Sequence, residues 1–231
     1  MHVVLILVAV LLLAGLIYLP SIWVNRVLEK YRTPNDIFPG TGGELAIHLL
    51  KGLKLDNVSV EEAEPGQDHY DPLTRTVRLS PDHFNGKSLT AITIAAHEVG
   101  HAMQHASGYP WFKLRHALVN VARVSEKFGS VAIMLMPMLA IATRSPLLGG
   151  VMLFAGIGAI AIGTLVHLVT LPVEWNASFG RALPVLSGGG YLSPDQSWHA
   201  RKILKAAAFT YLAGSLASLL NLYRWIAILR R

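Results

Sequence analysis

Apolar residues in this chain are gathered into four blocks, and that distribution limits its architecture more than any other feature. The blocks run from Val3 to Leu19, about Phe128 to Ala142, Leu147 to Leu171, and Ala206 to about Leu229. A helix needs about 20 apolar residues to cross a hydrocarbon core of about 30 Å, so the first, third and fourth blocks qualify and the second is short. Buried helices of soluble domains normally show a polar stripe, which these blocks lack over most of their length. Hydrophobic residues make up 52% of the 231 and charged residues 15%, also unlike an ordinary soluble domain. About four transmembrane helices are expected. The first block lacks a basic n-region before Val3 and runs into Ile22 and Trp23 instead of a small-residue cleavage site, so it reads as an uncleaved anchor.

Between the first and second blocks lies the polar segment that can fold outside a bilayer. Glu44 to Lys51 has helical spacing and stops at Gly52, and Val58-Ser59-Val60 reads as a short strand. Asp68 to Pro72 reads as a loop, and Thr76 to Ser80 alternates as an edge strand does. Ser88 to about Ala106 is a helix with Ser88 as its cap and a stop at Gly108. The expected organisation is an anchor at 1–24, a cytosolic catalytic part at 25–127, a membrane hairpin at 128–171, a helix and turn at 172–205, and a last membrane helix at 206–231. The net charge of +6 sits mainly beside the apolar blocks, as in Arg26, Lys30, Arg32, Arg201, Lys202 and Lys205. Such basic residues suit anionic lipid and a cytoplasmic face, with a lipid bilayer as partner and no nucleic acid. Arg230 and Arg231 do not fit that orientation.

The chemistry is concentrated in His97-Glu98-Val99-Gly100-His101. Two histidines at i and i+4 on a helix project to one side, so their imidazoles can converge on one tetrahedral ion. Glu98 lies beside that face and is placed to take a proton from water activated by the ion. Cysteine is absent, so any metal must be held by His, Asp or Glu. A catalytic zinc site needs a third protein ligand. His105 is eight residues from His97, about 12 Å along a helix, too far to share the ion. A metzincin would need Gly at 104 and His at 107, where this chain has Gln104 and Ser107. His116, Glu126, His167, His199 and Glu174 remain, and Glu174 stands out as an acid just past the end of the third apolar block. Arg181, His199 and Tyr211 are the candidates for stabilising an oxyanion.

Several further runs carry a resemblance: Thr41-Gly42-Gly43-Glu44, Asp68-His69-Tyr70-Asp71-Pro72, Val77-Arg78-Leu79-Ser80, Ala95 to Ala102, Leu171-Pro172-Val173-Glu174 and Ala206 to Tyr211. In this order they make the chain similar to the YugP-type neutral zinc metallopeptidases of bacterial membranes. That resemblance implies a zinc-dependent membrane peptidase, and it agrees with His97, His101 and Glu174 as metal ligands and Glu98 as the catalytic base. Glu174-Trp175-Asn176-Ala177-Ser178 also resembles, more distantly, the Glu-x-x-Ala-Asp segment of the membrane gluzincins related to HtpX and the CAAX-processing protease. There the Glu is the third ligand and the Asp orients a histidine; here Ser178 replaces the Asp, leaving that support to another group such as Asn176.

The expected fold is therefore α+β, predominantly α, with a zincin-like catalytic domain fused to about four transmembrane helices. The expected function is a membrane-embedded zinc endopeptidase of the bacterial cell membrane, its active site facing the cytoplasm, acting on peptides or membrane proteins. A membrane scaffold with a structural zinc site and a metal-dependent lipid amide hydrolase are the rival readings.

Overall fold

Ser88 starts the helix that organises the molecule. In the computed structural model, which describes residues 15, 19–20, 22–33, 36–125 and 146–229, its hydroxyl accepts a hydrogen bond from the Ala91 N–H at 3.2 Å, satisfying a donor that the first turn leaves free. The helix runs Leu89–Ala106 and is buried continuously from Leu89 to Ala102. It ends where Gly108 takes a positive φ of 65°, which a glycine adopts without strain.

In chain order the helices are α1 (22–30), α2 (Gly42–Gly52), α3 (Pro81–Phe84), α4 (Leu89–Ala106), α5 (110–125), α6 (Pro146–Trp175), α7 (Leu183–Gly188) and α8 (Pro194–Leu229), with a π-helical segment at Asn176–Ala182. The strands β1 (Ser59–Glu62), β2 (His69–Asp71) and β3 (Thr76–Leu79) lie between α2 and α3. A capping box fixes the start of α2: the Glu44 N–H donates to Thr41 Oγ1 at 3.2 Å, and the Thr41 N–H donates to Glu44 Oε2 at 2.8 Å. Its apolar face, Leu45, Ala46, Leu49 and Leu50, joins Val77, Ile92 and Val99 in a core that continues through Val173, Leu186 and Leu204. Residues from both sides of the long apolar stretch thus share one core around α4.

The sheet differs from its sequence pattern. Its order is β1-β3-β2, so the segment expected at an edge is the central strand. β1 pairs parallel to β3 with Val60 opposite Val77, and β2 pairs antiparallel with Tyr70 opposite Val77. Burial explains the placement: Val77 and Leu79 are fully buried, whereas β1 is largely exposed and β2 buries only Tyr70. The expected loop at Asp68 to Pro72 contains β2. Its turn signal is real, since Asp71 accepts hydrogen bonds from the Leu73 N–H and the Thr74 hydroxyl, both at 2.9 Å, but the turn closes a hairpin into β3.

The expectation of about four transmembrane helices is corrected. Among the described residues, no helix is long and apolar enough to cross a membrane. The first apolar block lies outside the described residues except for Gly15 and Leu19, and the second lies outside them altogether. The third and fourth fall within α6 and α8, which extend past the apolar runs to include Glu174 at one end and Asp195, Arg201, Lys202 and Lys205 at the other. Two polar groups inside the runs bond to the neighbouring helix. The Thr164 hydroxyl donates to the Ser218 carbonyl at 3.4 Å, and the Ser215 hydroxyl donates to the His167 carbonyl at 3.0 Å. An orientation counted from basic residues beside spanning helices has no spanning helix among the described residues to rest on.

Candidate metal centre

Two imidazoles from α4 and one carboxylate from the last turn of α6 meet in the core. His97, His101 and Glu174 are all buried, Glu174 at 1% exposure. His97 Nε2 is 3.2 Å and His101 Nε2 is 3.4 Å from Glu174 Oε2. One donor atom from each residue falls within 4.8 Å of the others. A tetrahedral ion with bonds of about 2.0–2.1 Å spaces its ligands about 3.3–3.4 Å apart, so two measured edges already match a zinc polyhedron. Nitrogen and carboxylate donors without thiolate are a set zinc accepts.

The outer nitrogens of both rings are also engaged, which fixes ring orientation. Ser178 Oγ lies 3.2 Å from His97 Nδ1, so the serine itself stands at the position where another partner was expected. Gln104 Oε1 lies 3.0 Å from His101 Nδ1. The Gln104 amide nitrogen donates to the Val173 carbonyl at 2.7 Å and to Asn176 Oδ1 at 3.0 Å, which leaves its oxygen facing the ring. A proton donated outward from each Nδ1 would leave each Nε2 free to take an ion. Asn176 is held in turn by Arg181, whose Nε donates to Oδ1 at 3.1 Å.

The π-helical turn makes this arrangement local. One stretch supplies Glu174 just before it and Asn176 and Ser178 within it, and such wide turns recur at functional sites. Gly100 lets α4 approach that stretch: a Cβ there would lie 2.8 Å from the Ala177 carbonyl oxygen. Gly100→Ala is therefore expected to cost about 1–3 kcal/mol in folding stability and to weaken zinc binding, read by thermal unfolding and zinc titration. Ser178→Ala is expected to keep the fold and lower zinc affinity about 10- to 100-fold in a chelator competition titration, because His97 loses its outer partner.

Glu174 has a second partner that sequence reasoning missed. Arg115 on α5 donates from Nη1 to Glu174 Oε1 at 3.1 Å, leaving Oε2 toward the histidines. Burial opposes ionisation of Glu174, but the His101 and His97 imidazoles beside it hold its pKa well below the usual carboxylate range. Glu98 is buried one residue from His97, and burial pushes its pKa up to about 7. It lines a cavity of about 390 Å³ together with His101, Glu174, Arg115 and Tyr211.

The remaining candidates fall elsewhere. His105 bonds through Nδ1 to the Tyr70 hydroxyl at 2.9 Å and stacks on Phe112, away from the metal group, as the helical rise requires. His116 lines the cavity without joining the group. His199 lies 3.4 Å from Asp195 and packs on Tyr31. His167 packs beside Gly214, and Glu126 lies outside the described residues. Of the three oxyanion candidates, Arg181 is engaged with Asn176 and Ser107, and Tyr211 lines the Glu98 cavity.

A His-Glu-x-x-His helix completed by a glutamate from a later helix is the donor arrangement of a zinc peptidase. The chain belongs to the family described as "putative neutral zinc metallopeptidase", whose model matches residues 4–230. It is similar to the protein named "Putative membrane protease YugP" of Bacillus subtilis (strain 168), at 36% identity over 221 residues, covering 93% of this chain and 92% of that one. No solved structure matches. Zinc is the cofactor of the family, and His97, His101 and Glu174 are a group that could hold it.

Proposed function

We propose that the protein is a membrane-associated zinc endopeptidase in which His97, His101 and Glu174 hold the ion and Glu98 is the general base. The observation that carries this reading is a buried glutamate opening into the same cavity as a zinc-compatible His-His-Glu group. When bound, zinc polarises a substrate carbonyl and lowers the pKa of water to about 7. Glu98 then accepts a proton from the attacking water and passes it to the departing amine, a role suited to a pKa near the working pH. Tyr211 presents a hydroxyl to the same cavity. The Glu174 carboxylate and burial both raise its pKa, so it stays protonated and can donate to the developing oxyanion. Arg115 acts through Glu174, holding its second oxygen.

Peptide substrates are supported by the sheet. β2 has β3 on one side and a free edge among the described residues, and His69, Tyr70 and Asp71 line the cavity. An extended chain can pair with that edge. Association with a membrane is supported by the name of the Bacillus relative and by exposed Trp23, Trp175 and Trp198, with Lys202 stacked on Trp198, residue types favoured where protein meets lipid headgroups.

The test is cleavage of casein and of a lipid amide by zinc-loaded protein in H₂¹⁸O, with products read by mass spectrometry. New peptide termini carrying ¹⁸O are expected. Chelation of the zinc is expected to abolish the products and zinc replacement to restore them. Lipid products alone would transfer the reading to an amide hydrolase, and zinc retention with no hydrolysis at all would mark a structural site.

A further inference from the structure

The two walls of the Glu98 cavity differ in free charge. One wall is β2 and its turn, with Asp68 and Asp71; the other is α5, which lines the cavity with Phe112, Arg115, His116, Val119 and Arg123. The spacing of those five positions marks a single helical face. Both acids of the first wall are engaged. Asp71 accepts from Arg78 at 2.9 Å, and Asp68 accepts from the Ser80 N–H at 2.8 Å and lies 2.9 Å from His83. On the second wall Arg115 is engaged by Glu174. Arg123 lines the cavity with no ion pair or hydrogen bond among the described residues, and α5 contains no acid in 110–125. Among the described residues, Arg123 is therefore the permanently charged group of the cavity that no acid engages, a planar guanidinium suited to a carboxylate.

We propose that Arg123 is a specificity determinant that receives a carboxylate of the bound peptide; this rests on the peptidase reading above. Its place along α5 sets the position of that carboxylate. Arg115 touches a residue of the metal group, and Arg123 lies eight residues further on, about 12 Å along the helix axis. An extended peptide advances about 3.3 Å per residue. The carboxylate thus sits three or four residues from the scissile bond, with Val119 along the wall between. It is either an Asp or Glu side chain or the free C-terminus of the substrate.

The experiment uses matched fluorogenic peptides with a Glu side chain at that distance, a free C-terminal carboxylate at that distance, a neutral residue with an amidated end, or a Lys. Initial rates with wild-type zinc protein are compared with Arg123→Ala, Arg123→Glu and, as a control for helix charge off the cavity, Lys113→Ala. Equilibrium binding of the same peptides to zinc-loaded Glu98→Gln, with and without Arg123→Ala, is read by fluorescence anisotropy. A carboxylate preference of about threefold to tenfold in kcat/KM and in Kd is expected, shrinking at high salt. Arg123→Ala should abolish it, Arg123→Glu should turn it toward the Lys peptide, and Lys113→Ala should leave it intact. The arm that shows the preference identifies side chain or C-terminus as the source. No preference in wild type, no peptide binding, or a preference that survives Arg123→Glu overturns the proposal. A binding preference lost with Arg123→Ala, without cleavage of any peptide by wild type, keeps the carboxylate site and refutes the peptidase reading instead.

Discussion

Zinc-loaded Glu98→Gln is expected to cleave peptides about 10²- to 10⁴-fold more slowly than wild type while holding the same amount of zinc. Glutamine keeps the volume of the buried Glu98 side chain, and Glu98 is not one of the three residues of the metal group. What the amide removes is the ability to accept a proton. Burial lifts the Glu98 carboxyl to about 7, so exchanging it for a neutral amide also relieves desolvation and should leave the melting temperature unchanged or higher. Elemental mass spectrometry and initial rates on one preparation separate the two effects. An active Glu98→Gln enzyme would move the base to another residue of the cavity.

Glu174→Ala is expected to lose zinc and to unfold earlier than metal-free wild type. Two losses combine in it: the anionic ligand goes, and Arg115 loses the carboxylate oxygen 3.1 Å away. Removing one member of a buried ion pair costs about 3–5 kcal/mol, and Arg115, being partly exposed, should fall at or below the lower end. Glu174→Gln separates the terms, since its carbonyl can still accept from Arg115 while the negative ligand is gone. It should bind zinc poorly yet melt near metal-free wild type. Zinc at wild-type stoichiometry in Glu174→Ala would place the third ligand elsewhere.

Much of α4 is legible in the sequence because its signals are local. The Ser88 cap, the i,i+4 histidines and the small Gly100 all lie within fourteen residues of one another and act on one helix. Glu174 is legible for a different reason, as an acid where an apolar run ends. Gln104 and Arg115 are not, because their roles depend on partners far along the chain: Gln104 on Val173 and Asn176, Arg115 on Glu174. In sequence Gln104 serves only to exclude another class of zinc site, although its place three residues after His101 puts it beside that ring. Strand order fails for a related reason. Alternation in Thr76 to Ser80 marks a strand but does not say whether one or both of its edges are paired, and the acids of the Asp68 to Pro72 run mask the buried Tyr70 between them. The third and fourth apolar blocks mislead most, because a composition rule cannot see that Thr164 and Ser215 bond to a neighbouring helix.

Zinc K-edge X-ray absorption on the purified wild-type protein tests the central claim most directly. The account predicts one zinc per chain with two imidazole nitrogens and oxygen donors at about 2.0–2.1 Å. Three or more imidazoles in the shell, or protein that takes up no zinc, would contradict it.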